Sequence, residues 1–272
     1  MLDAAGFVAL GIGIGAVGTL IGAGGGFILL PILLLLFPTE ATGRLTAISL
    51  AVVAANASSG AFAYGRQRRV DLRSGIVFAI ATLPGSVAGA LLARSIPRGS
   101  FDVAFALVLL ALAVLLVRVR PGQGPPAPEG GAWARELVDS GGTAYRYHPQ
   151  LPLGIAISFV VGFASSLLGI GGGFILVPAL ITVVGFPVHV ATATSQFVLA
   201  IMALVGTLTH VAADDLDGLW PRVLSLGVGA IIGAQAGARL SARIAGDTIV
   251  RVLAAALVIV ALRLAAQGLL GL

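Results

Sequence analysis

Twice in this chain a long apolar stretch is cut in its middle by Gly-Gly-Gly. Gly22-Ala23-Gly24-Gly25-Gly26-Phe27-Ile28-Leu29-Leu30-Pro31 recurs as Gly169-Ile170-Gly171-Gly172-Gly173-Phe174-Ile175-Leu176-Val177-Pro178, 147 residues later. Each copy sits inside an apolar segment, Phe7 to Phe37 and Leu153 to Phe186. A straight helix over the first segment would be roughly 45 Å long, too long for one crossing of a hydrocarbon core of roughly 30 Å. Each segment is therefore expected to be either a steeply tilted broken helix or a re-entrant helical hairpin with its tip inside the membrane.

A bilayer is implied by composition: 58% of the residues are hydrophobic and only 10% charged. An ordinary soluble domain carries roughly 25% charged residues and could not hide this much apolar surface, whereas lipid covers it. Three further apolar segments of spanning length follow each broken one. They are Ala41–Tyr64, Ser74–Ala93 and Phe101–Val117, then Val190–Val211, Leu219–Ala238 and Ile249–Leu264. Other features recur in the same order. Gly85-Ser86-Val87-Ala88-Gly89 answers Gly233-Ala234-Gln235-Ala236-Gly237, and Asp102 precedes Arg118 by the same 16 residues that separate Asp247 from Arg263. The expected fold is an all-α polytopic membrane protein made of two repeats. Residues 1–120 form the first, 121–150 a polar cytoplasmic connector, and 151–272 the second.

Arginine placement orients the repeats. The chain has no lysine and a net charge of +5, and basic loops stay on the cytoplasmic side. Loop Gly65–Arg73 holds Arg66, Arg68, Arg69 and Arg73, whereas its counterpart Ala212–Gly218 holds Asp214, Asp215 and Asp217 and no arginine. The next loops differ less, with Arg94 and Arg98 against Arg239, Arg243 and Arg251, and the connector adds Arg118, Arg120, Arg135 and Arg146. Opposite bias in equivalent loops favours inverted repeats, each a re-entrant hairpin plus three transmembrane helices. Basic charge of this kind marks membrane topology and gives no ground for nucleic-acid binding. Met1 to Gly6 lack the basic start of a cleavable signal, so a retained N-terminus is expected.

Broken helices in inverted repeats commonly hold a solute near the membrane midplane. Unwound Gly24, Gly25 and Gly26, with Gly171, Gly172 and Gly173, would leave N–H groups unpaired at the start of the helices that follow. Such N-termini suit an anion. Glycines can also serve only close packing, but their recurrence at one place in both halves favours the ligand role. Uncharged polar residues lie on the adjacent spans: Thr46, Ser49 and Asn56, with Ser58 and Ser59, in the first half, and Thr192, Thr194, Ser195 and Gln196 in the second. Gln235 interrupts the later glycine pair. Hydroxyls in membrane helices often bond their own backbone. For Asn56, Gln196 and Gln235, lining a site and gluing helices are equally open.

Other chemistries lack support in the sequence. All eleven carboxylates fall in loops or at span ends, so no carboxylate proton relay is evident. His148, His189 and His210 read as interfacial residues. There are no cysteines, no HExxH, no GxSxG and no Walker loop, so no cofactor, metal or hydrolytic site is called for.

The duplicated G-x-G-G-G-F-[IL]-x-x-P with its flanking spans resembles the sulfite exporter TauE/SafE family, over both halves and apart from the connector. The resemblance implies transport of sulfite or an organosulfonate such as sulfoacetate across the bacterial plasma (inner) membrane. The reading is a secondary transporter working by alternating access between the two halves. Alternatives are a passive anion channel or a carrier of a different small organic anion. The partners are then a small anion and the lipid bilayer. A coupling ion, H+ or Na+, is left open, because sodium held by backbone carbonyls would need no diagnostic side chain.

Overall fold

A computed structural model describes residues 3–93 and 135–249, together with 107, 111, 251, 252, 254, 255, 258 and 259. The expected spans Phe101–Val117 and Ile249–Leu264 fall largely outside these residues, as do Arg94, Arg98, Asp102, Arg118, Arg120 and Arg263. The helices are α1 (Ala4–Ile21), α2 (Gly26–Leu36), α3 (Thr42–Arg66), α4 (Leu72–Ala93), α5 (Leu151–Leu168), α6 (Gly173–Ala179), α7 (Val188–Val211) and α8 (Trp220–Ser241). A π-helical turn, Leu180–Val184, continues α6. Six of these, α1, α3, α4, α5, α7 and α8, are long and apolar enough to cross a membrane. The protein is an all-α polytopic membrane protein.

Both glycine breaks are built alike. Gly22 ends α1 in the left-handed region at φ 83°, and Gly169 ends α5 at φ 65°. Only glycine takes that conformation without steric cost, and the C-cap it forms satisfies carbonyls of the last turn. The chain then turns back. Phe37, just past α2, stacks on Phe7 of α1 with ring centroids 6.4 Å apart. In the second half the Gln150 N–H donates to the Val184 carbonyl at 3.0 Å, bringing the start of α5 to the end of the π turn. Each broken segment therefore enters and leaves at the same end, as a hairpin.

Hydrogen bonds also fix the course of the central helices. Arg44, at the start of α3, donates to the Asp217 carbonyl after the end of α7. Thr194, near the start of α7, accepts from the Asp71 N–H beyond the end of α3. Thus α3 and α7, the equivalent helices of the two halves, run antiparallel.

Around this pair, α1 packs along α8 and α5 along α4, so each hairpin leans on a helix of the other half. Small residues make both contacts. A methyl group on Gly229 or Gly233 of α8 would strike the carbonyl of Val8 or Ile12 of α1, and one on Gly85 or Gly89 of α4 would strike that of Phe159 or Phe163 of α5. Backbones this close gain dispersion and leave no room for lipid between them. The outward side chains are large and apolar, including Phe62, Ile80, Phe159, Val160, Leu208 and Leu224, as a lipid-facing surface requires.

The connector departs from the expected plan. Residues Arg135–Val138 (β1) pair antiparallel with Ala144–Tyr147 (β2). This β-hairpin seats on the α3–α4 loop. Arg69 donates to Asp139 Oδ2 at 2.9 and 3.1 Å, Ser140 N–H donates to the Gln67 carbonyl, and Tyr147 donates to Asp71. Strands of four residues with mixed charge give almost no periodic signal against a polar background. Burial alone would raise the Asp139 carboxyl. The Arg69 hydrogen bond and the N–H groups of Thr143 and Gly141 outweigh it and hold the carboxyl below the usual range.

Because this folded carboxyl titrates below its unfolded value, its stabilisation is full above roughly pH 4 and is lost as pH falls through the native value. Wild type should therefore melt higher than Asp139→Asn near neutral pH, with the gap closing in acid. Equal melting at every pH would contradict the tether.

Candidate functional site

The two hairpin tips meet at the middle of the protein. Val53, near the centre of α3, lies under both of them: its methyls sit 3.0 Å from where a side chain would start on Gly24 and 2.5 Å from that point on Gly171. Gly26 rests on the Ile170 carbonyl and Gly173 on the Gly22 carbonyl, so each tip abuts the backbone of the other. Phe27 and Phe174, the first side chains past the breaks, stack with centroids 6.2 Å apart. The cap glycines are held crosswise: Gly22 packs on Thr192 of α7, and Gly169 on Thr46 of α3.

This geometry leaves backbone donors unpaired at the two buried tips. Among the described residues, the N–H groups of Gly25, Gly26 and Phe27, and of Gly171, Gly172, Gly173 and Phe174, make no hydrogen bond. Residues Ile21 to Phe27 and Gly169 to Phe174 are all buried. A buried polar group left unpaired costs about 1–3 kcal/mol. Side chains around the tips add to the set. Thr46 Oγ1, Ser49 Oγ, Asn56 Nδ2, Ser165 Oγ and Gln196 Oε1 are buried and lack a partner. Native interiors hold few such atoms, so the cluster marks this region as suited to polar ligands or water.

The expected site residues divide into two groups. The six glycines, Thr46, Ser195, Asn56 and Gln196 are brought to the tips or to the last turn of α1, and Ser49 is buried on α3 between Thr46 and Val53. Ser195 donates to the Gly22 carbonyl at 3.0 Å, while Gln196 donates to Gly18 O at 3.2 Å. Two residues lie elsewhere. Thr194 Oγ1 accepts the Asp71 N–H where α4 begins, and Gln235 donates to Ser59 O and Oγ, joining α8 to α3. Their amide and hydroxyl groups are spent on helix contacts.

Sequence patterns do match this region to known proteins. The sulfite exporter TauE/SafE family profile matches residues 7–264. The chain belongs to that family. A relative in Bacillus subtilis (strain 168), named probable membrane transporter protein YunE, is 34% identical over 96% of this chain and 97% of its own. A probable membrane transporter protein of Xylella fastidiosa (strain 9a5c) is 28% identical over 82% of this chain and 79% of its own. Another, MJ0441 of Methanocaldococcus jannaschii, is 24% identical over 76% and 72%. No solved structure matches the chain. The protein is a membrane transporter of the TauE/SafE family.

For a TauE/SafE chain the residues missed by sequence reasoning are instructive. Thr19 donates to Asn56 Oδ1 at 2.9 Å, and Ser166 shares a hydrogen bond of 2.7 Å with Ser86. Ser165 lies beside Gly172, with Oγ 3.2 Å from where a side chain would start. Thr19 and Ser166 each stand three residues before a cap glycine, a matched spacing that could have revealed them.

A bulky side chain at Gly172 would run into Val161 and Ser165 beside the unpaired N–H groups. Gly172→Leu should reduce solute transport in proteoliposomes to background while insertion into the membrane is retained. Gly13→Leu, where nothing lies within 4 Å, should transport like wild type. Wild-type transport by Gly172→Leu would remove the tips from the site.

Proposed function

We propose that this protein is a secondary transporter of a small sulfur-containing anion, sulfite or an organosulfonate such as sulfoacetate, in the bacterial plasma (inner) membrane. The observation that carries the reading is the meeting of two glycine tips, each with unpaired backbone N–H groups, at the centre of the protein. An oxyanion is bound well by neutral donors alone, because helix N-termini supply partial positive charge and the N–H groups supply direction. Thr46, Ser49 and Ser165 would complete the shell from hydroxyls that have no other partner.

Alternating access is supported by the architecture. The antiparallel course of α3 and α7 fits inverted repeats, in which one half rocks against the other around a fixed site. The tips are buried and closed on each other, which favours a gated carrier over an open pore. The loop with Arg66, Arg68, Arg69 and Arg73 lies at the same end as the connector hairpin, which supports a cytoplasmic location for that end under the positive-inside rule.

A thermal-shift screen of the purified protein against sulfite, sulfate, thiosulfate, sulfoacetate, taurine and small carboxylates tests the substrate class. A ligand that binds only the folded state raises the melting temperature with the logarithm of its concentration over Kd. Stabilisation by a sulfur anion and not by matched carboxylates is the expected result. Stabilisation by carboxylates alone would contradict the sulfur assignment.

A further inference from the structure

The two halves differ at one matched cluster, and the difference bears on what the site accepts. In the first half, Thr19 of α1, Asn56 and Gly60 of α3, and Gln196 of α7 come together. A side chain on Gly60 would start 3.0 Å from the Thr19 methyl and 3.2 Å from Gln196 Oε1. In the second half the same arrangement is made by Ser166 of α5, Met202 and Gly206 of α7, and Leu50 of α3. There a side chain on Gly206 would start 3.2 Å from Leu50 and 3.3 Å from the Ser166 and Ser86 hydroxyls. The second cluster is closed: Ser86 and Ser166 bond each other, and Ser86 also reaches the Met202 carbonyl at 3.1 Å. The first cluster is open in hydrogen-bonding terms, with Asn56 Nδ2 and Gln196 Oε1 both buried and both unpaired.

The open cluster joins the hairpin tip. Gly18, whose carbonyl accepts from Gln196 Nε2, packs its Cα against the backbone of Gly25. That hydrogen bond also settles which way the Gln196 amide faces. A carbonyl only accepts, so Nε2 must point at Gly18 and Oε1 is the atom left over. The site thus presents many donors and, in Gln196 Oε1, a buried amide oxygen that can only accept a hydrogen bond and has no donor among the described residues.

We infer that Gln196 is a specificity-determining residue that selects an oxyanion still carrying a hydrogen-bond donor, such as a monoprotonated oxyanion, over a fully deprotonated one. The inference rests on the anion-transport reading above and narrows its substrate class. A dianion offers only lone pairs and would leave Oε1 buried without a donor. An anion with an O–H or N–H satisfies it while its remaining oxygens take the backbone N–H groups and Asn56 Nδ2. Sites built to receive one specific polar group reject the analogue that lacks it, because their own buried atoms are then unpaired. The titratable side chain bonded into this cluster among the described residues is Tyr64, whose hydroxyl donates to Thr19 O. Phenols ordinarily titrate near pH 10, so mild pH changes act on the ligand.

Calorimetric titration of the full-length protein with sulfite, in mildly acidic and mildly alkaline buffer, tests this directly. Sulfite carries its proton in the first buffer and loses it in the second, and sulfate, deprotonated in both, serves as the control. Wild type should bind sulfite roughly tenfold or more tightly in the acidic buffer, with sulfate affinity unmoved. Gln196→Leu, which installs the residue found at the matched position Leu50, should bring the sulfite ratio close to one. Equal sulfite affinity in both buffers would overturn the inference and leave the sulfur-anion reading intact; a buried water bridging the two amides would give that result. Gln196→Leu keeping the wild-type ratio would overturn it as well. Binding of neither anion in either buffer would remove both the inference and the reading beneath it.

Discussion

Everything in this fold answers to the need to pair backbone polar groups in an apolar interior. A helix that breaks in the middle of a membrane protein exposes N–H and C=O groups that lipid cannot satisfy. The TauE/SafE chain makes two such breaks and brings them together. Left-handed Gly22 and Gly169 close the carbonyl ends of α1 and α5. At the amide ends of α2 and α6 the first N–H groups are buried and make no hydrogen bond among the described residues. A pair of breaks facing each other is costly unless something polar occupies the space between, and that cost is what the proposed anion would offset.

The rest of the fold holds the tips in place. Hairpins would splay unless braced, and the glycine stripes on α8 and α4 let α1 and α5 approach to backbone contact. Because each hairpin leans on the opposite half, motion of one half against the other must carry a tip with it. At the end bearing the arginine-rich loop, the Arg69–Asp139 pair and the Tyr147–Asp71 hydrogen bond pin the connector hairpin over the start of α4.

Much of this was legible before any coordinates. Spans show in sequence because hydropathy over a window of bilayer length is a strong signal: Ala41–Tyr64 became Thr42–Arg66, and Val190–Val211 became Val188–Val211. The glycine breaks were visible because they repeat. Side-chain partners were less so. Gln235 and Thr194 looked as suitable for a site as Gln196 did, and only their bonds to Ser59 and Asp71 show that they hold helices together. Thr19 was overlooked because its partner, Asn56, is 37 residues away on another helix. The strands 135–138 and 144–147 were missed because two four-residue strands owe their form to docking on Arg69 and Asp71 more than to any pattern of their own.

The claim on which the account turns is that the N–H groups of the two breaks are the anion's donors. Hydrogen–deuterium exchange of the purified protein, read on peptides covering both breaks with and without saturating sulfite, addresses it most directly. Free N–H groups exchange quickly once solvent reaches them, and bound ones are protected. The account predicts that sulfite slows exchange at 24–27 and at 171–174 together, leaving the connector strands unchanged. Sulfite binding that protects other segments while both glycine tips exchange as before would contradict it.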